Sequence, residues 1–313
     1  MNKGFRIVFM GTPDFSVPPL QALHKSGHEV LLVVTQPDRP KGRGRKMLPP
    51  PVKECALSLG YEVIQPESVR TPEFVQRIRE LKPDIFAVVA FGQILPQNLL
   101  DIPCIAAVNI HASLLPRYRG AAPIQRAVIN GEKETGVTTM RMDAGMDTGD
   151  ILLMEKTEIF SEDTSASLHD RLSVMGAELV LKTLEKFRTG EIQPIPQNHA
   201  EATYADMLKK SDGRIDWRKT ACELDCLIRG TDPWPGAFCF YGEKRLRIWK
   251  AKKISENTGA DPGTVLESFT DELRVATGDG LLSIEEIQGE SGKRMPVREF
   301  LRGFRIPAGT VLT

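Results

Sequence analysis

The sequence has few of the features that mark extracellular or membrane-bound proteins. Its 313 residues include five cysteines, scattered along the chain and without a Cys-x-x-Cys pair, which excludes a disulfide scaffold. The longest apolar run, Ile85 to Phe91, is far below the roughly 20 residues that span a bilayer. The apolar run near the N-terminus, Ile7 to Met10, is too short for a signal peptide. We therefore expect a cytoplasmic protein with no membrane partner.

An excess of charge of either sign is also lacking. Lys plus Arg and Asp plus Glu both number 41, so the formal net charge is zero. This excludes a generally cationic nucleic-acid-binding chain, and any polyanionic partner must be met by local patches. The hydrophobic fraction of 41% and the charged fraction of 26% are those of an ordinary globular protein. The length suggests two domains.

The glycines of a dinucleotide-binding fingerprint are missing. Gly11 follows an apolar run, but the next residues are Thr-Pro-Asp-Phe-Ser, without the second and third glycines of that motif. A phosphate-binding Gly-x-x-x-x-Gly-Lys motif is also absent from the sequence. An oxidoreductase with a dinucleotide cofactor is therefore disfavoured. Thr12 and Pro13 instead resemble a helix start, with Thr12 as N-cap.

The first half of the chain alternates apolar runs with helix-like segments, which is typical of a parallel sheet with crossover helices. The apolar runs are Arg6–Gly11, Glu29–Thr35, Tyr61–Gln65, Asp84–Gly92 and Ala106–Ser113. Two more strands, Val137–Met142 and Ile151–Ile159, are expected as an antiparallel addition. Helical spacing of apolar residues predicts a helix over Asp163–Arg188.

The second half is organised differently. The polar stretch 191–206, interrupted by Pro194 and Pro196, has the composition of a linker. Beyond it, short β-type runs and turn signals such as Asp279-Gly280 predict a small barrel. We thus expect an α/β chain with a catalytic domain over 1–190, a linker over 191–206 and a β-barrel domain over 207–313.

Asn109 and His111 form the strongest local signal for chemistry. Strand alternation places them on one face, opposite Val108 and Ile110, near the carboxyl end of the strand. In open α/β sheets that end faces the ligand crevice. The alternative is a histidine that is hydrogen-bonded structurally near a turn.

A partner carboxylate could come from the loop that holds Asp143, Asp147 and Asp150. The spacing does not match a calcium-binding loop. Gly145 and Gly149 suit a loop that comes close to a ligand or to another backbone. The sequence leaves open whether these aspartates serve a site or only turn chemistry.

Basic residues cluster in two places. Six bases and one acid, Asp38, lie between Gln36 and Lys53, and a second cluster lies on and beside a predicted strand. The bases are Arg39, Lys41, Arg43, Arg45, Lys46 and Lys53 in the first cluster, and Lys244, Arg245, Arg247, Lys250, Lys252 and Lys253 in the second. Each cluster is either a solvated face or a surface that contacts phosphates.

Longer motifs carry a resemblance over essentially the whole chain. They are Phe9-Met-Gly-Thr-Pro-Asp-Phe15, Thr35-Gln-Pro-Asp-Arg-Pro40, Ala90-Phe-Gly-Gln-Ile-Leu-Pro96, Asn109-Ile-His111, the run from Ser113 to Gln125, the run from Met142 to Asp150, Arg214-Ile-Asp-Trp217 and Asp232-Pro-Trp-Pro235. With these motifs the chain resembles the methionyl-tRNA formyltransferase family. One departure is Asp232, where the family pattern has Asn.

The resemblance implies a fold and a reaction. The fold is an N-terminal Rossmann-like, mostly parallel sheet domain followed by a small C-terminal OB-like β-barrel domain. The formyl donor is 10-formyltetrahydrofolate, and the acceptor is the amino group of methionyl initiator tRNA. No metal is expected, and we expect a monomer.

The resemblance also implies site residues. The catalytic residues are Asn109, His111 and Asp147, and the folate-contacting residues are Ser113, Leu114, Leu115 and Pro116. The tRNA-binding residues are Arg39, Lys41, Arg43, Arg45 and Lys46 in a loop that enters the acceptor stem, and Lys244, Arg245, Arg247 and Lys250 in the barrel. Arg43 corresponds to the functional arginine of that loop.

These assignments lead to a mechanistic hypothesis. Asn109 and protonated His111 would stabilise the oxyanion of a tetrahedral intermediate, and Asp147 would orient the imidazolium and relay a proton through water. Two alternatives remain. One is a formyltransferase for a small amine, such as a nucleotide sugar or glycinamide, and the other is a non-catalytic RNA-binding protein.

Overall fold

The structure is a computed structural model that describes residues 4–41, 46–256, 258–268 and 271–313. The chain forms two compact units. The first contains the residues up to Gly120 together with Thr135–Thr157 and His169–Ala205. The second contains Ala121–Glu134, Glu158–Leu168 and Asp206–Thr313.

The elements are numbered in chain order. The strands are β1 (Arg6–Gly11), β2 (Glu29–Val34), β3 (Arg39–Lys41), β4 (Lys46–Leu48), β5 (Val63–Ile64), β6 (Ile85–Val89), β7 (Ala106–His111), β8 (Glu134–Arg141), β9 (Ile151–Glu158), β10 (Ala237–Tyr241), β11 (Lys244–Ile254), β12 (Val265–Ser268), β13 (Leu273–Ala276), β14 (Leu281–Gln288) and β15 (Met295–Pro296). The helices are α1 (Val17–Lys25), α2 (Pro51–Ser58), α3 (Pro72–Leu81), α4 (Gln97–Leu100), α5 (Pro123–Ile129), α6 (Ser165–Thr189), α7 (Ala221–Thr231) and α8 (Val297–Gly303).

A seven-stranded sheet with the order β5-β2-β1-β6-β7-β8-β9 is the centre of the first unit. The first five strands in this order, β5, β2, β1, β6 and β7, pair in parallel with their neighbours. Strand β8 pairs antiparallel with β7. Residues of β1 and β6 are buried almost throughout, as expected of parallel strands covered on both faces. The predicted parallel sheet and its antiparallel addition are confirmed.

The start of α1 differs from the sequence prediction. Thr12 is not a helix cap, because its hydroxyl donates to the Phe91 carbonyl at 2.9 Å and accepts from the Gln36 N–H at 3.2 Å. A short 3-10 turn over Asp14–Ser16 intervenes, and α1 begins at Val17. The prediction that Thr12 caps a helix was therefore wrong, since its side chain joins the ends of three neighbouring chain segments.

The second unit contains a six-stranded antiparallel sheet. Its path is β10-β11-β14-β13-β12, and β15 pairs with β14. The Asp279-Gly280 turn lies between β13 and β14, as predicted. Helices α5 and α7 pack together, and α7 also packs on β11. This half-barrel agrees with the predicted small β domain, whereas α7 and α8 were not anticipated in a β-rich reading.

Each unit has its own apolar core. In the first unit, β1, β2 and β6 contribute buried Val8, Leu32 and Phe86, against which α3 packs Phe74 and Ile78. The core of the second unit includes Trp217, Leu224, Ile248, Ile284 and Phe300. None of the helices in the described part of the chain combines the length and the apolar character needed to cross a bilayer.

Candidate active site

The carboxyl end of β7 carries the candidate catalytic pair. Asn109 lies opposite Val88 of β6, and His111 lies opposite Thr138 of β8. The pleat of the strand turns both side chains to the same face, as the alternation predicted. His111 is buried and Asn109 is partly exposed. The pair therefore lies where ligands enter open α/β sheets.

Asp147 reaches this pair from the loop between β8 and β9. Its Oδ1 lies 3.5 Å from Asn109 Nδ2, and its Oδ2 lies 3.6 Å from His111 Nδ1. The same Oδ2 accepts the Gly120 N–H at 2.9 Å. The structure thus brings the three predicted catalytic side chains together.

The other features of the Asp147 loop are explained by close packing. Asp143 accepts from the Gly145 N–H at 3.0 Å and from the Thr148 hydroxyl at 2.7 Å, so its carboxylate forms the turn. A Cβ on Gly149 would lie 1.8 Å from the Arg141 carbonyl oxygen. Both interpretations of this loop therefore apply, but to different residues. Asp143 serves turn chemistry, and Asp147 faces the histidine.

The protonation pattern of His111 follows from its partners. Nε2 lies 2.9 Å from the Tyr118 carbonyl oxygen, which can only accept, so Nε2 carries a proton. Nδ1 is then the nitrogen that faces Asp147. A neutral His111 has a lone pair at Nδ1, and only the imidazolium can donate from that position.

Backbone groups of the turn after β7 complete the site. Tyr118 supplies the carbonyl to His111, and Gly120 supplies the N–H to Asp147. Tyr118 and Asp147 both have positive φ angles, of 60° and 53°. Sequence reasoning missed these backbone roles. Gly120, which ends the Arg-Tyr-Arg-Gly run, was the available signal.

The predicted folate-contacting residues follow β7 directly. Ser113 is fully buried, and its hydroxyl donates to the Arg117 carbonyl at 2.6 Å. Leu115 is buried too, and its N–H lies 3.3 Å from Thr138 Oγ1. Leu114 and Pro116 are partly exposed. Contact between this stretch and folate stays a prediction, with apolar surface offered by Leu114 and Pro116.

Of the first basic cluster, Arg39 and Lys41 lie on β3, Lys46 lies on β4 and Lys53 lies in α2, and β3 and β4 pair antiparallel as a hairpin. Arg39 is exposed, and its guanidinium donates to Gln36 Oε1 at 3.3 Å. Arg43 and Arg45 lie outside the described residues, as do the side chains of Lys41 and Lys46.

One base of this cluster is neutralised at the foot of the hairpin. Lys53 Nζ lies 2.9 Å from Asp38 and 2.6 Å from Gln65 Oε1. The hydrogen bond from Lys53, followed by that from Gln65, lowers the pKa of Asp38. Lys53 thus links Asp38, just before β3, to Gln65, just after β5 at the edge of the sheet. Its positive charge is paired with Asp38.

The second basic cluster lies on β11 in the second unit. Lys244 is exposed and lies 5.1 Å from the centre of the Phe304 ring, whereas Lys250 pairs with Glu285 at 3.1 Å. The hydrogen bond to Glu285 raises the pKa of Lys250. Burial, with Arg245 nearby, lowers the pKa of Arg247.

Arg245 and Arg247 alternate with core residues. They lie opposite Phe240 and Phe238 of β10, so cations and aromatic rings share one face of the sheet. The guanidinium of Arg245 lies 5.7 Å from the centre of the Phe238 ring. Among the described residues, no group of three or more His, Cys, Asp or Glu side chains could hold a metal ion.

Fold and site define a group-transfer enzyme, and the chain belongs to the formyl transferase family. Residues 5–184 match the formyl transferase domain, and residues 207–305 match the formyl transferase C-terminal domain.

Within that family, the chain is similar to methionyl-tRNA formyltransferases over nearly its full length. It is 51% identical to that of Acetivibrio thermocellus over 308 residues, covering 98% of this chain and 99% of the relative. It is also 51% identical to that of Citrifermentans bemidjiense, covering 99% and 96%.

Solved structures share the fold at low identity. An N-formyltransferase from Helicobacter canadensis, in complex with folinic acid and dTDP-3-aminofucose, is 22% identical, with a TM-score of 0.69 over 93% of this chain and 100% of that one. HypX from Aquifex aeolicus, in complex with tetrahydrofolic acid, is 21% identical, with a TM-score of 0.64 over 96% of this chain and 48% of that one.

Proposed function

We propose that the protein transfers the formyl group of 10-formyltetrahydrofolate to the α-amino group of methionyl initiator tRNA, for translation initiation. The observation that carries this proposal is the convergence of Asn109, His111 and Asp147 at the carboxyl edge of the sheet. Similarity to methionyl-tRNA formyltransferases over 98% of the chain supports the choice of acceptor.

The reaction moves an acyl group from one nitrogen to another. The acceptor amine attacks the formyl carbon, and a tetrahedral intermediate with a negative oxygen forms. The C–N bond to folate then breaks, and one proton passes from the acceptor nitrogen to the leaving nitrogen. An α-amino group has a pKa of about 7.7–8.0 and is partly neutral at pH 7. Stabilising the oxyanion and aligning the two substrates therefore determine the rate.

His111 and Asn109 stabilise the oxyanion in this proposal. Because Nε2 donates to the Tyr118 carbonyl, His111 donates to the oxyanion from Nδ1, which requires the imidazolium. The carboxylate of Asp147 lies 3.6 Å from Nδ1 and orients the imidazolium. Asn109 contributes an amide donor, and Asp147 relays the acceptor proton through water.

The substrates bind on both sides of these groups in the same proposal. The stretch from Ser113 to Pro116 contacts the folate, which brings the formyl group beside His111. The bases of the segment from 39 to 46 contact the acceptor stem, namely Arg39, Lys41, Arg43, Arg45 and Lys46. Lys244, Arg245, Arg247 and Lys250 contact the outside of the tRNA. We assign catalysis to residues 1–190, a connecting role to 191–206 and tRNA binding to 207–313, in a monomeric protein.

An assay with radiolabelled 10-formyltetrahydrofolate tests the proposal. Charged initiator and elongator methionyl-tRNAs are offered separately, with a small amine such as glycinamide ribonucleotide as a third acceptor. We expect label in initiator methionyl-tRNA and little in the other two. Label only in the small amine would contradict the acceptor assignment, and absence of transfer to any of the three would contradict the activity.

A further inference from the structure

A buried arginine lies directly behind the candidate site. Arg119 is 1% exposed, and it is the largest of the fully buried side chains among the described residues. Its Nε and Nη2 donate to Gln197 Oε1 at 3.1 and 2.7 Å, and Nη2 also lies 3.2 Å from His199 Nδ1. A charged group at this depth requires such partners.

Gln197 connects this arginine to the Asp147 loop. Its Nε2 donates to the Asp147 carbonyl at 2.9 Å and to the Gly149 carbonyl at 2.7 Å. Since a guanidinium only donates and a carbonyl only accepts, these partners fix the orientation of the Gln197 amide. Both donors and both acceptor positions of the amide are used, so this environment suits glutamine and not glutamate.

The two carbonyls that Gln197 holds are that of Asp147 itself and that of Gly149, two residues later. Asp147 has a φ of 53°, which is a left-handed conformation that non-glycine residues adopt rarely. Such a conformation persists when its surroundings hold it, and the hydrogen bonds from Gln197 hold the backbone that follows, from the Asp147 carbonyl to the Gly149 carbonyl. The carboxylate is then held at its other end by the Gly120 N–H.

The peptide group between Arg119 and Gly120 is itself held in place. Its carbonyl accepts the Ala205 N–H at 2.7 Å, while its N–H donates to Asp147. The Arg119 N–H donates to the Thr203 carbonyl at 2.8 Å. One short segment thus holds the backbone of Asp147 through Gln197 and its carboxylate through Gly120.

We propose that Arg119 and Gln197 are positioning residues that aim the Asp147 carboxylate at Asn109 and His111. This inference rests on the proposed function, in which Asp147 takes part in formyl transfer. Neither Arg119 nor Gln197 touches a reacting atom, and both act through the Asp147 loop.

Gln197→Glu tests this role with little change in shape. The variant keeps an oxygen for Arg119, but places a second oxygen against the Asp147 and Gly149 carbonyls in place of the N–H donors. We expect a kcat lower by about 10- to 100-fold, as for a displaced catalytic group. We expect the KM values for folate and methionyl-tRNA to change by less than about threefold, because contacts made equally in the ground state and the transition state are unaffected. Gln193→Glu, exposed in the same segment, is the matched control and keeps the wild-type kcat.

A double-variant cycle with Asp147→Asn separates positioning from general stability. If Gln197 acts through Asp147, adding Q197E to D147N lowers kcat by less than about threefold. A loss in the D147N background as large as in wild type overturns the positioning role. Should Q197E not fold, Gln197→Met serves in the same cycle, since it also lacks the N–H donors and is of similar length.

The same two variants distinguish a catalytic role of Asp147 from a positioning role of Gln197. A D147N variant with wild-type kcat overturns the assignment of Asp147 in the proposed function. An impaired D147N beside a fully active Q197E overturns the positioning role alone.

Discussion

At the scale of single residues, the hydrogen bonds of His111 restrict what it can do. The Tyr118 carbonyl fixes the proton on Nε2, so donation towards a substrate must come from Nδ1. Asp147 lies 3.6 Å from that nitrogen, so both ring nitrogens of His111 have a partner that orients the imidazole.

His111→Ala should therefore lower kcat by about 10²- to 10⁴-fold, the range for one group that stabilises an oxyanion or transfers a proton. The measurement is steady-state formylation of methionyl-tRNA, with circular dichroism to check the fold. His24→Ala in α1 is the matched control, since His24 is exposed. A folded H111A variant with unchanged kcat would refute the role of His111.

The contribution of a second histidine to stability depends on pH, because this histidine takes part in a partly exposed ion pair. His169 Nε2 lies 3.4 Å from Asp14 Oδ1. The hydrogen bond that His169 donates to Asp14 raises the pKa of His169 above 6.5, and the same bond lowers the pKa of Asp14 below 3.8. The stabilisation from the raised pKa of His169 is complete below pH 6.5 and is lost as pH rises through that raised value. The stabilisation from the lowered pKa of Asp14 is present above pH 3.8 as long as His169 keeps its proton, and it is lost as pH falls through the lowered value.

Asp14→Asn should thus lower the free energy of unfolding near pH 5.5 and have little effect near pH 9. Since 76% of the Asp14 side chain is exposed, we expect a difference of about 0.5 kcal/mol. Urea unfolding at the two pH values measures it, with exposed Asp261→Asn as control. An equal loss at both pH values would show that the pair does not titrate in this way.

At the scale of elements, the loop between β8 and β9 owes its shape to glycine. A side chain on Gly149 would collide with the Arg141 carbonyl oxygen, whose residue also pairs with Asp150 through an N–H to carbonyl bond of 2.8 Å. The close approach brings Asp147, two residues earlier, to its place beside His111.

Gly149→Ala should lower the free energy of unfolding by about 1–3 kcal/mol, as for overpacking at a tight contact. The kcat should fall as well, since the Asp147 loop must shift. Gly27→Ala is the control, because a Cβ there meets nothing within 4 Å. Denaturant unfolding and the formylation assay measure both effects, and a G149A variant as stable as G27A would contradict the prediction.

The basic segment between Gln36 and Lys53 gives a prediction on the binding of methionyl-tRNA. Arg43→Ala should raise the KM for methionyl-tRNA about tenfold or more and reduce its salt dependence, through loss of a charged contact. Folate affinity should not change. Lys25→Ala is the control. Lys25 ends α1 just before the amino end of β2, whereas Asn109 lies near the carboxyl end of β7. An equal loss of folate affinity in R43A would mean that the hairpin supports the folate site instead.

Sequence patterns predicted the elements whose signal is local. The runs that became β1 and β6 are apolar on both faces, and in β7 strand alternation alone placed Asn109 and His111 on one side. The start of α7 also has a local signal, the capping box of Thr220 and Glu223, although it lies in a segment otherwise rich in β-type runs.

Tertiary partners decide what the sequence could not predict. Gln197 lies in a polar, proline-containing stretch typical of a linker, and its burial depends on Arg119, 78 residues away. Thr12 has the sequence context of a cap, but the Phe91 carbonyl, 79 residues away, binds its hydroxyl. The carbonyl of Tyr118 beside His111 carries no side-chain signal at all.

At the scale of the whole molecule, a net charge of zero makes the local arrangement of bases decisive. On β11, Lys244 is exposed, whereas Lys250 already has Glu285 as its partner at 3.1 Å. A base that is already paired releases fewer counterions when it meets a phosphate.

Lys244→Ala should therefore weaken tRNA binding more than Lys250→Ala. The slope of log affinity against log salt should fall by about 0.7–0.9 for one lost phosphate contact in K244A, and by less in K250A. Equilibrium binding of initiator tRNA across a salt series measures both slopes, and each variant is the matched control of the other. Equal slopes for the two variants would contradict the distinction.

Cys239 gives the second unit a further property. It is fully buried on β10, and burial raises the pKa of its thiol to about 12. Because the thiolate is the reactive form, reagents such as iodoacetamide modify Cys239 only when the sheet of this unit opens. Its rate of alkylation, followed by peptide mass spectrometry, consequently reports how often that sheet opens.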